Sequence, residues 1–265
     1  MKISKLFVLT LGFALLGIPL TARANVTKKP PCSVASLNGS YGFIAQGAIT
    51  TDPPIQLVST GIIKYDGAGS LSGESVTSDG TGAGAPDAFT GTYTVSPDCI
   101  VTGQHTDAYG ETLHYVGPIT GNDMLQEIHW VLTDPGFVGA GTTKKMPDGG
   151  CSLATLKGYY GLFGQGTVTA YNPPAPITHA GNFSYDGKGK FTGSDTIALN
   201  GSIVSDQFTG TYVVSADCAI SVEINSTTVG VVHQLGRVTG AGKNREVHLI
   251  ITDPGFLFVE TTRRQ

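Results

Sequence analysis

The residues best equipped for chemistry recur in pairs. His114 returns as His233, His129 as His248, and Glu127, two residues before His129, as Glu246. Residues two apart on a β-strand share a face. If Gly121-Asn122 is a two-residue hairpin loop, Thr120 pairs with Asp123 and His114 falls directly opposite His129. Cβ atoms in such a pair lie about 5 Å apart. The same count sets His233 against His248. Two imidazoles and a carboxylate on one surface are a donor set for a divalent metal, so His114, Glu127, His129, His233, Glu246 and His248 form the candidate metal group. A competing reading uses the other face of the same strand. Ile128, Trp130 and Leu132, like Val247, Leu249 and Ile251, are apolar and should be the packed side. The histidines would then be polar surface.

A second constellation is aromatic. Tyr41, Phe43, Phe89 and Tyr93 in one half, and Tyr160, Leu162, Phe208 and Tyr212 in the other, fall on apolar strand faces. They could line a ligand cavity or pack as core with their hydroxyls satisfied by backbone. Other chemistries lack their motifs. Asp66, Asp134, Asp186 and Asp253 sit in Asp-Gly and Asp-Pro-Gly turns and lack the alternating acids of a calcium loop. There is no Gly-x-Ser-x-Gly, phosphate loop or dinucleotide fingerprint. No cofactor is expected.

The elements that position these residues follow from a repeat. Cys32-Ser-Val-Ala-Ser-Leu37 returns as Cys151-Ser-Leu-Ala-Thr-Leu156, Phe89-Thr-Gly-Thr-Tyr93 as Phe208-Thr-Gly-Thr-Tyr212, and Thr133-Asp-Pro-Gly-Phe137 as Thr252-Asp-Pro-Gly-Phe256, all at an offset of 119. Tyr65-Asp-Gly67 matches Tyr185-Asp-Gly187 at 120, so one residue is inserted and later removed in loops. Four cysteines allow three pairings. Duplication of a self-sufficient unit selects Cys32–Cys99 and Cys151–Cys218.

Phe89, Gly91, Tyr93 and Val95 alternate with Thr90, Thr92 and Thr94, a half-buried strand. Asp66-Gly67, Asp186-Gly187 and Asn200-Gly201 are hairpin signals. Eight strands per copy result, beginning near Ser40, Gln56, Ser70, Asp87, Ile100, Glu111, Met124 and Val138 in the first, with a helical turn over Ala35 to Asn38. An open eight-stranded sheet leaves two unpaired edges and a closed one leaves none. The expected fold class is all-β: two tandem eight-stranded antiparallel up-and-down β-barrels, with two β-sandwiches as the alternative. The divisions are a signal peptide over 1–24, a tail over 25–31, one barrel over 32–146, a linker over 147–150 and a second barrel over 151–265.

Lys2 and Lys5, the apolar run Leu6 to Leu20, and Ala22-Arg23-Ala24 compose the signal peptide. Export to a bacterial periplasm or exterior follows, as does the absence of a membrane span after cleavage. Cleavage removes three basic residues and no acid, taking net charge from −4 to −7. Such a chain has no electrostatic footprint for nucleic acid.

Cys32–Gly42, Tyr65–Gly69 and Phe89–Cys99, with Cys151–Gly161, Tyr185–Gly189 and Phe208–Cys218, resemble uncharacterised exported bacterial β-domains. Those are similar in architecture to the allene oxide cyclase and dirigent barrels, and more loosely to lipocalins. The resemblance implies a barrel able to hold a small apolar molecule and transfers no activity. The functional expectation is a non-enzymatic binding module for a small hydrophobic ligand or a partner protein. The alternatives are a cyclase- or isomerase-like enzyme and a structural protein with filled barrels.

Overall fold

A computed structural model describes residues 31–265. The segment expected to be a signal peptide, residues 1–24, lies outside the described residues. Sixteen strands form two closed antiparallel barrels. The first comprises β1 (Asn38–Ile49), β2 (Ile55–Asp66), β3 (Ser70–Ser78), β4 (Asp87–Val95), β5 (Ile100–Asp107), β6 (Thr112–Thr120), β7 (Glu127–Leu132) and β8 (Phe137–Lys145). The second comprises β9 (Lys157–Val168), β10 (Ala175–Asp186), β11 (Lys190–Leu199), β12 (Ser202–Val214), β13 (Ala219–Ser226), β14 (Gly230–Thr239), β15 (Glu246–Ile251) and β16 (Phe256–Arg264). Each strand pairs with its sequence neighbour. Closure comes from β1 against β8, running from Tyr41↔Lys145 to Ile49↔Phe137, and from β9 against β16. Both barrels lack an unpaired edge, the outcome that favours closure over a sandwich.

Local chemistry sets the hairpins. Asp66 Oδ1 accepts the N–H groups of Ala68 and Ser70 at 2.7 and 2.9 Å, and Gly67 takes φ 74°. The Asp186 turn repeats this. The β6–β7 connection departs from expectation. It is not a two-residue turn: Thr120 pairs with Glu127, and a 3₁₀ turn over Asp123–Leu125 occupies the loop. The strand expected near Met124 therefore begins at Glu127.

One end of each barrel is packed shut. In the first, the Cys32–Cys99 disulfide ties the 3₁₀ turn Val34–Ser36 to the β4–β5 turn. Tyr41, Tyr65 and Tyr93 stack edge-to-face beneath it, with ring centroids 5.3 and 4.9 Å apart. The Tyr93 hydroxyl lies 2.9 Å from the Leu37 carbonyl. In the second, Cys151–Cys218, Tyr160, Tyr185 and Tyr212 repeat the arrangement. Each edge-to-face pair adds about 0.5–1.5 kcal/mol beyond its area burial.

The two barrels pack side by side through non-equivalent outer faces. Val58, Thr60, Ile62 and Ser78 point out of the first barrel yet are buried, because β1 and β2 lie against β14, β15 and β16. Val58 joins Ile250 and Leu257 in one apolar cluster, with Ile44, Val76 and Val259 beside it. Lys144 bridges the seam, 2.7 Å from Glu127 and 2.9 Å from Glu246. Gly42 is required there, since a Cβ would sit 2.8 Å from both Arg237 and Thr239. On the second barrel the face equivalent to Val58, Thr60, Ile62 and Val76 carries exposed Thr178, Ala180, Asn182 and Thr196. This head-to-tail contact is of the kind that can propagate. Polar substitution on the second barrel removes the surface that would repeat it.

Candidate functional site

The inward positions of the two barrels have diverged, and two different interiors result. The first barrel encloses a cavity of about 270 Å³ above its tyrosine layer. Phe43 from β1, Phe89 from β4, Leu113 and Tyr115 from β6, and Trp130 and Leu132 from β7 are among the large side chains that wall it. Period-2 alternation places them there, since each sits on the inward face of its strand. Small residues leave room for the cavity: Ser59, Ser75 and Gly139 line it, and Gly141 lies against the Trp130 ring. The second barrel carries His179, Asp195, Phe258 and Glu260 at those positions, and its cavity shrinks to about 70 Å³.

Polar groups also line the first cavity, and several are engaged. Trp130 Nε1 donates to Thr143 Oγ1 at 2.8 Å. The Tyr65 and Tyr115 hydroxyls meet at 3.2 Å, and burial pushes the Tyr115 hydroxyl up to about 12. His105 stacks 4.8 Å from Phe89, and burial lowers its pKa, favouring the neutral ring. Asp87, Asp107 and Glu111 also border the cavity.

The second interior is ionic. His179 Nδ1 lies 2.7 Å from Asp195 Oδ2, and its Nε2 lies 3.4 Å from Glu260 Oε2. Gln234 Nε2 donates to the same Glu260 oxygen at 2.9 Å. Burial opposes charge on His179, but the hydrogen bonds and charges of Asp195 and Glu260 outweigh it and raise the imidazole to about 9. Asp206 accepts from Ser226, Thr227 and the Thr228 N–H. Burial raises its pKa, yet these bonds prevail and hold it below the ordinary carboxylate range.

Phe43 and Phe89 line the first cavity, and Leu162 and Phe208 the second. Tyr41, Tyr93, Tyr160 and Tyr212 do not. They belong to the packed ends, where Tyr93 and Tyr212 hydroxyls lie against backbone carbonyls and Tyr41 donates to Gln126.

The proposed histidine pairing does not form. The longer β6–β7 loop shifts the register, so the N–H of Thr133, not of His129, reaches the His114 carbonyl. His114 Nδ1 instead meets Asp134 at 2.7 Å, and His233 meets Asp253 at 2.9 Å. His129 lies 3.5 Å from Glu127 on the outer face. Glu246 and His248, expected at the surface, are buried in the seam between the barrels. Among the described residues no cluster of three or more His, Cys, Asp or Glu side chains is placed to hold a metal.

Sequence reasoning missed His179, Asp195, Gln234 and Glu260. The signal was present in the mismatches between copies: Ser59, Ser75, Tyr115 and Gly141 are their counterparts, all at inward parity.

No protein-family profile matches the sequence, and no curated protein matches it. Among solved structures, the chain is similar to a Nitrosomonas europaea protein provisionally called ATTH, at 10% identity and a TM-score of 0.27, covering 85% of this chain and 92% of that one. Similarity at that level carries no functional argument.

Proposed function

We propose that this is an exported binding protein whose first barrel takes up a small, largely apolar molecule. The carrying observation is the cavity of about 270 Å³ walled by Phe43, Phe89, Trp130 and Leu132. Ligand sites of this kind are concave, mostly apolar, and start near 300 Å³. The division into one barrel over 32–146 and another over 151–265, joined by 147–150, belongs to this reading. So does the likeness of architecture to the allene oxide cyclase, dirigent and lipocalin barrels. Two disulfides suit an oxidising compartment such as the periplasm or exterior. Among the described residues no helix is long and apolar enough to cross a membrane.

The cyclase- or isomerase-like alternative has one observation in its favour, a neutral His105 against the same cavity. It ranks second because, among the described residues, no further ionisable group is poised with His105 at hydrogen-bonding distance.

Trp130 is the only tryptophan in the chain and lines the cavity. Titration with N-phenyl-1-naphthylamine should therefore quench its emission saturably. Gly139→Phe gives the first barrel the residue that the second has at position 258, and the side chain would meet the movable end of Leu132. This variant should fold and lose binding. Equal binding by folded wild type and variant refutes the assignment, as does a Trp130 signal that never saturates.

A further inference from the structure

We propose that the interior of the second barrel is a separate binding site for a short alkylammonium ion, held through its N–H groups by Asp195 and Gln234. Asp195 turns Oδ2 to His179, and its Oδ1 has no protein donor. Gln234 spends its amide N–H on Glu260, and its Oε1 likewise has none. Both side chains are buried, at 8% and 3% exposure, and both line the same cavity. A buried acceptor without a donor is costly, so two of them on residues that line one cavity point to a ligand that brings N–H or O–H groups.

Charge narrows the class. Asp195, Asp206 and Glu260 put three carboxyl groups around the cavity against the single imidazole of His179, and no lysine or arginine lines it. A cation is favoured over a neutral alcohol and an anion is rejected. Shape narrows it further. Phe183, Phe208, Ile197, Val222 and Leu249 leave an apolar wall for a short stem. At about 10–15 Å³ for each water-sized atom, a cavity of about 70 Å³ takes roughly five heavy atoms. The first barrel lacks this site, having Ser59, Ser75, Tyr115 and Gly141 at the equivalent positions.

The test is protein-observed ¹H–¹⁵N NMR of the full mature chain titrated with butylammonium chloride, butan-1-ol and sodium butyrate. Butylammonium should produce saturable shifts at residues 179, 195, 234 and 260, with affinity at least 10-fold above butan-1-ol and none for butyrate. Asp195→Asn should weaken butylammonium about 10- to 100-fold, the effect of one charge-assisted hydrogen bond. It should leave N-phenyl-1-naphthylamine binding in the first barrel unchanged, so this proposal and the first can fail independently. If Asp195→Asn disturbs the spectrum globally, Gln234→Met serves in its place with the same expectation. The proposal is overturned if butylammonium gives no saturable shift across the millimolar range, which would leave buried water as the only occupant. Equal affinity for amine and alcohol, or an unaltered affinity in both folded variants, also overturns it.

Discussion

Replacing Lys144 by methionine should destabilise the protein by about 3–5 kcal/mol, a large effect for one residue on the outer wall of a barrel. Lys144 is only 3% exposed and its Nζ lies between two carboxylates, at 2.7 Å from Glu127 and 2.9 Å from Glu246. Glu246 is itself buried at 4%. Burial raises its pKa, but His248 and Lys144 outweigh that and hold it at about 2 against an ordinary 4.5. That difference corresponds to roughly 3 kcal/mol. Removing one partner of a buried pair costs about 3–5 kcal/mol, because the other charge stays behind uncompensated. His248 and Arg263 remain beside Glu246, which favours the lower end. The assay is denaturant unfolding followed by Trp130 emission and far-ultraviolet circular dichroism. Lys144→Met/Glu246→Gln should recover at least half of the loss, since the buried Glu246 charge is then gone and Glu127, which is only half-buried, keeps His129 beside it. A loss below about 1 kcal/mol, typical of a surface ion pair, refutes the reasoning, as does a double variant no better than the single one.

Other consequences follow from the same geometry. The His179 imidazole is raised from 6.5 to about 9. Its contribution to folding is therefore complete below about pH 6.5 and lost as pH rises through 9. Urea midpoints between pH 6 and 10 should fall in wild type and fall less in His179→Ser, the residue of the first barrel. Glu246 has the opposite sign: its contribution is present above pH 4.5 and lost as pH falls toward 2, so acid should weaken the seam, and acid titration of wild type against Glu246→Gln checks it. Cys32→Ser/Cys99→Ser opens a loop of 67 residues and should cost about 4 kcal/mol, read from the denaturation midpoint. Thr178→Val/Asn182→Ile/Thr196→Val restores on the second barrel the apolar residues of the first. It should increase concentration-dependent self-association in sedimentation velocity; unchanged sedimentation would contradict the polar-capping account.

The frame of this protein was legible in its sequence because the determining signals are local. Phe89 and Tyr93 alternate with threonines, Asp66-Gly67 marks a turn, and a duplicated cysteine pair fixes its own partner. The histidine register was misplaced because Gly121-Asn122 resembles a two-residue hairpin, while the loop continues through a 3₁₀ turn to Glu127. A one-loop error of this kind moves every cross-strand partner. Tyr41 and Tyr93 are correctly inward, but strand parity does not distinguish the packed end of a barrel from its cavity. Depth along the barrel axis does, and it depends on shear. The seam residues Glu246 and His248 read as solvent-facing because outward parity assumes a lone barrel. The ionic interior of the second barrel required comparing the copies where they differ, at Ser59 and His179, Ser75 and Asp195, Gly141 and Glu260.

The central claim, that the first barrel holds a cavity large enough for an aromatic molecule and the second does not, is tested most directly by crystallography with a heavy-atom ligand. Crystals soaked with 1-iodonaphthalene should show an anomalous iodine peak enclosed by Phe43, Phe89 and Trp130, and none between Phe183 and Phe208. Iodine found only on the outer surface, or a first barrel whose side chains close the space, would contradict it.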